Sequence, residues 1–251
     1  MKKKTWKKKI ATGFSIYHAK FVLRTVLFIW ALIEFVKTKG TADIITSNSK
    51  LFSLIWVLFA IEMILKLFPS KLEGMGSQKQ FKENYLPAPK QDEKVTAPYP
   101  LRAAFVAIVW IVVNGIFTWL YFIKVFNTGI MMLLFLFYSV GDMICVLFYC
   151  PFQELMRNRC CSTCRIHNWD SPMMCTPLIF IPNPFTFTLF VLSIVMLIQW
   201  EVCVKRHPER FNEKTNLSLS CKNCPETYCT RRGRVLKKYD ILGEIKSLIK
   251  K

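Results

Sequence analysis

The chain has 251 residues, of which 53% are apolar and 21 are Phe, and its mean hydropathy is +0.29. That composition excludes an ordinary soluble domain, because several apolar runs approach the length that crosses a bilayer. The balance of 35 Lys and Arg against 16 Asp and Glu gives a net charge of +19. It sits in tails and loops, where it orients spans and attracts anionic lipid headgroups, so the bilayer and not nucleic acid is the expected partner.

The N-terminal tail, 1–20, is basic. The apolar stretch that follows has no small-residue cleavage site after it and reads as an uncleaved first helix. A helical pair is expected over 21–68, with spans at 21–36 and 51–68. Arg24 and Glu34 lie near the ends of the first span, placed to snorkel to the two interfaces. Glu62 and Lys66 in the second share a face at i,i+4 and are expected to neutralise each other. Residues 69–102, with Pro69, Pro87, Pro89, Pro98 and Pro100, read as an irregular linker.

A second helical pair is expected over 103–150, joined by a turn at Asn127–Gly129. Asp142 lies near the middle of its second span, where an ionised carboxylate needs a partner, a proton or water. A Cys-rich juxtamembrane loop at 151–175 precedes a kinked or re-entrant fifth segment, 176–204, interrupted by Pro177, Pro182 and Pro184. The basic tail, 205–251, carries further cysteines and ends in an amphipathic helix over 234–251, with Leu236, Tyr239, Leu242, Ile245 and Ile249 opposite lysines. The fold class is therefore all-α, a polytopic integral membrane protein with about four to five transmembrane helices.

Positive charge places the N-terminus, the Pro-rich linker and the C-terminal tail on the cytoplasmic side of the cell membrane. Five plain crossings cannot satisfy this. A hairpin turning near Pro182-Asn183-Pro184 does, and it also puts both cysteine clusters on one face; the stretch 185–204 is long enough to cross by itself, which keeps five plain crossings as the alternative.

Those clusters carry the expected chemistry. Cys161-Ser-Thr-Cys164 and Cys221-Lys-Asn-Cys224 are C-x2-C knuckles, a spacing that turns two thiolates toward one ion. With Cys160 and Cys229 they form a candidate ligand set for zinc or an iron–sulfur cluster. Cys175, His167 and His207 are substitute ligands, and Arg157, Arg159, Arg165, Arg231, Arg232 and Arg234 offset thiolate charge. Asp142, His167 and Asp170 are the candidate proton-handling groups. Cys145, Cys150 and Cys203 read as packing residues of the spans. Asn216-Leu217-Ser218 fits a glycosylation pattern that matters only on a lumenal face.

The leading expectation is a metalloprotein at the bilayer surface, passing electrons to a lipid-soluble partner or an associated redox or membrane subunit. Two alternatives remain open. One is a soft-metal transporter or thiol redox sensor, with Cys160-Cys161 as the capture pair and Asp142, Glu62 and Asn114 along a route. The other is a scaffold with a structural zinc site. No Ser-His-Asp set, His-x3-His helix or dinucleotide fingerprint is present, so hydrolase and dehydrogenase readings have no support and no reaction is assigned.

Overall fold

The computed structural model describes residues 16–38, 49–88 and 100–224. Five long helices carry the architecture: α1 (Ile16–Lys37), α2 (Ser49–Leu67), α3 (Pro100–Phe122), α4 (Thr128–Leu147) and α5 (Pro184–Arg206). Between α4 and α5 the chain makes single turns at Pro151–Leu155, Cys161–Thr163, His167–Trp169, Asp170–Cys175 and Thr176–Phe180. No strand forms among the described residues, only an isolated bridge between Pro87 and Asn216. The fold is all-helical. The helix expected over 234–251, the tail 1–15 and Cys229 lie outside the described residues.

Local chemistry sets the helix ends. Asn127 caps α4 by accepting from the Ile130 amide at 2.9 Å, and Asn183 caps α5 by accepting from the Phe185 amide at 2.9 Å. Pro184 at the first position of α5 loses no hydrogen bond there, because that amide has no partner inside a helix. His207 closes α5, and its ring pairs with Glu209 at 3.1 Å, in keeping with a capped exit.

The distribution of polarity is inverted relative to a soluble bundle. Val22, Val26, Ile29, Ile33 and Val36 form an exposed stripe along α1 at three- and four-residue steps, and Phe105, Ile108, Val112, Ile116 and Trp119 do the same on α3. Arg24 of α1 and Lys66 of α2 point inward instead, only 4% and 5% exposed. Apolar outside and charged inside is the arrangement lipid requires. Residues Leu101–Phe122 of α3, α4 and α5 are each long and apolar enough to cross a membrane. By length and composition these three helices suit a bilayer.

The segment between the Cys-rich loop and α5 runs through the bundle. Trp110 of α3 meets Thr176 at 3.4 Å. The Tyr121 hydroxyl, one residue from the end of α3, donates to the Phe180 carbonyl at 3.1 Å. Phe185 then packs edge-on against Phe52 and Trp56 near the start of α2. α5 returns parallel to α2, with Trp56 bonded to Thr188 and Gln199 to the Leu67 carbonyl, each at 3.0 Å. Residues 170–206 are thus a hairpin with one broken arm and one helical arm. Met174, Cys175, Leu178 and Ile181 join Leu136 of α4 and Met196 of α5 in one buried apolar cluster.

Where α2, α4 and α5 end and α1 and α3 begin, residues 68–88, 151–175 and 207–224 form a polar cap. The expected linker is irregular but not free: Glu73 to Gln80 are all buried. Gln80 donates to the Lys66 carbonyl, and Arg210 and Cys203 both donate to the Gln80 carbonyl. Leu217 and Ala88 are held by backbone bonds to Leu86 and Thr215. Polar side chains that bond backbone can be buried without periodicity, so apolar spacing gives no sign of this packing. Asn216 is fully buried and donates to the Arg210 carbonyl, which removes the sequon from any modifying enzyme.

Trp200 is the hub of the cap. It is fully buried, donates to the Arg165 carbonyl at 2.9 Å and meets Phe211 edge-on at 4.9 Å. Trp200→Ala is expected to destabilise the protein by about 4 kcal/mol. Trp200→Phe keeps most of the packing but leaves that carbonyl unpaired, at about 1–2 kcal/mol. Denaturation of the detergent-solubilised protein followed by tryptophan fluorescence checks the order of the two.

Candidate functional site

Two groups of polar residues meet where the bundle joins the cap. The first is an ion-pair network. Lys20 and Arg24 share a face of α1, and Glu62 and Lys66 share a face of α2, each pair four residues apart. Arg24 is the centre: its guanidinium reaches Glu62 at 2.7 Å, Asp142 of α4 at 3.0 Å and the Ser139 carbonyl at 2.8 Å, and it lies over the Phe59 ring. Lys20 bridges Glu62 at 3.2 Å and Glu73 of the cap at 2.6 Å. Lys66 binds Asp170 and donates to the Ser171 hydroxyl at 3.3 Å.

Two expectations are corrected here. Glu62 and Lys66 do not neutralise each other along α2 but bind groups on other elements. Arg24 does not snorkel to an interface, because three acceptors on two other helices hold it inside.

The second group lines a cavity of about 200 Å³ between α3, α4 and the cap. Its walls include Trp110, Phe137, Tyr138 and Phe152, and five thiols open onto it: Cys145, Cys150, Cys160, Cys161 and Cys164. Asp142, His167 and Asp170, the three candidate proton-handling residues, line the same cavity. Sequence spacing assigns Cys145 and Cys150 to packing; the signal for their place on the cavity wall is Asp142-x2-Cys145, which puts a carboxylate and a thiol on one face of α4.

The loop that presents the thiols is shaped locally. Arg157 takes a φ of +49°, a left-handed turn that swings the chain out of Pro151–Leu155. The Thr163 hydroxyl then donates to the Cys160 carbonyl at 3.0 Å and accepts from the Cys160 amide, closing the turn Cys161–Thr163. Lys79 fastens this turn from beneath. It is fully buried, donates to the carbonyls of Ser162 and Cys164, and rests over the rings of Trp200 and Phe211. Burial lowers its ammonium to about 8, against the pull of the neighbouring thiols.

The thiols differ in reactivity. Burial pushes Cys164 up to about 11 and Cys161 well above the ordinary thiol range. Cys150 shifts the other way, because a hydrogen bond with Cys145 holds its thiolate form.

The second knuckle lies at the same end of the molecule. The Ser162 hydroxyl is 3.6 Å from Cys224 Sγ, and Arg159 binds the Leu219 carbonyl at 3.1 Å and Glu213 at 2.6 Å. Cys221 and Cys224 do not line the cavity. Among the described residues no three His, Cys, Asp or Glu side chains are grouped so as to hold a metal ion. Cys175 is buried in the apolar core, and Cys203 donates to the Gln80 carbonyl at 3.1 Å. Comparison with family models, with curated proteins and with solved structures finds no match to this chain.

His167 is packed tightly. A Cβ on Gly76 would fall 2.5 Å from its Nε2, so Gly76→Ala is expected to displace the ring and destabilise the cap by about 1–3 kcal/mol. Burial lowers the imidazole to about 4 from 6.5, outweighing the attraction of Asp170. Between those pH values the unfolded chain binds a proton that the folded chain refuses. Stability therefore falls as pH drops from 6.5 and levels off below about 4. Thermal midpoints across this window are expected to show a flatter slope in His167→Gln.

Proposed function

We propose that the cavity is the site of two-electron thiol chemistry at the membrane surface. Five thiols from two elements opening onto one apolar cavity is the observation that carries this reading. Cys150, eased toward thiolate by Cys145, attacks; Cys145, and Cys161-Cys164 across the cavity, are the partners with which it forms or exchanges a disulfide. Oxidation of one dithiol forms one S–S bond and releases two electrons and two protons, and a two-electron carrier takes them up. The aromatic walls and the position beside the bilayer suit a lipid-soluble carrier or an associated membrane subunit.

In this reading α1 to α4 cross the cell membrane, and the broken arm with α5 enters and returns. The cap, the N-terminus and the basic tail then face the cytoplasm together, against anionic headgroups. The charge of the tails and linker supports that orientation.

A second reading is favoured by the contact of Ser162 with Cys224, which brings the two C-x2-C knuckles to the same end. Cys161, Cys164, Cys221 and Cys224, with Cys160 and Cys229, would then hold zinc or an iron–sulfur cluster. The thiol groups are the donor type such a site needs, but the described ones do not converge on one point.

One anaerobic experiment separates the two. Protein purified in detergent is analysed for zinc, iron and sulfide, then exposed to a water-soluble short-chain benzoquinone while remaining thiols are counted. The thiol reading predicts loss of two thiols per chain with one quinol formed, abolished in Cys150→Ser, and no stoichiometric metal. Stoichiometric metal lost in Cys161→Ser and Cys221→Ser, with no thiol consumed, would replace it with the metal site.

A further inference from the structure

The ion-pair network contains three cations, Lys20, Arg24 and Lys66, and four carboxyl groups, Glu62, Glu73, Asp142 and Asp170. In a low-dielectric bundle an unmatched charge is costly, so one of the four carboxyls should carry a proton. Their contacts identify which. Glu62 binds both Lys20 and Arg24, Glu73 binds Lys20 at 2.6 Å, and Asp170 has Lys66 to itself. Asp142 has one contact, at 3.0 Å, to an arginine already bound more closely by Glu62. Its other carboxyl oxygen makes no hydrogen bond among the described residues, and the residue lines the thiol cavity.

We propose that Asp142 is a proton-exchange site: it holds the one proton that balances the network and trades it with the cavity.

The groups facing Asp142 fit this role. Arg24 from α1, Glu62 and Lys66 from α2, Cys145 from α4, and Asp170 from the broken arm surround it; His167 lines the same cavity as a neutral imidazole. A second cavity, of about 170 Å³, touches the network at Lys20, Arg24 and Glu62. The network therefore separates two cavities, with Arg24 shared between the pairs on either side. The balance involves no redox step and does not depend on the thiol chemistry, although a proton-exchanging carboxyl beside a dithiol would serve it.

The test is infrared difference spectroscopy of the full-length protein in detergent, comparing H2O with D2O and neutral with alkaline pH. One protonated-carboxyl band is expected that shifts in D2O and is missing from Asp142→Asn. Because Asn resembles the protonated acid, that variant should keep the wild-type melting temperature at neutral pH. A second variant uses the balance itself: Glu62→Gln removes one anion, so Asp142 should ionise and the band should vanish although Asp142 is present. Persistence of the band in Asp142→Asn, its survival in Glu62→Gln, or its absence from the wild type would each overturn the proposal. The same spectra in Cys150→Ser should be unchanged, which keeps failure of the thiol reading separate from failure of this one.

Discussion

The structure depends on the buried guanidinium of Arg24. In lipid there is no hydrophobic force between apolar helices, so helix pairs need polar contacts or close packing to hold a fixed register. Arg24 supplies the polar contact for two of them: Glu62 on α2, and Asp142 with the Ser139 carbonyl on α4. Removing the guanidinium itself would leave buried carboxylate without compensation in the bundle, which is far costlier than losing an exposed pair. The same contact fixes where Asp142 stands, and therefore where the charged network meets the thiol cavity.

Lys79 plays the corresponding part in the cap. Its ammonium sits beneath the thiol turn, held by two carbonyls and two aromatic rings, and burying it costs enough to lower its proton affinity. A charge kept at that cost beside three cysteines stabilises the turn by hydrogen bonds and biases the nearest thiol toward thiolate, although burial of Cys164 outweighs the bias. Burial raises Cys161 and Cys164, while the hydrogen bond with Cys145 shifts Cys150 the other way.

The sequence made much of this architecture legible. Apolar run length placed all five long helices, and the Asn127 turn and the Pro182-Asn183-Pro184 reversal stand where the composition puts them. Sequence could not show partners chosen in three dimensions. Glu62 and Lys66 look like a pair at i,i+4, yet each meets a better partner from another element. Lys79 sits in a Pro-rich stretch with no apolar period, and its burial rests on backbone carbonyls that leave no mark in composition. Cys145 and Cys150 resemble packing residues until the loop bearing Cys160, Cys161 and Cys164 folds back over them.

The central claim is that these thiols act as a two-electron couple, and an equilibrium redox titration tests it most directly. Full-length protein poised in thiol–disulfide buffers, trapped by alkylation and mapped by mass, should show Cys150 and one partner of the cavity oxidising together. Their Nernst slope should be about 30 mV per decade. Cysteines that stay reduced at every poise, or oxidise singly with no common midpoint, would contradict the account.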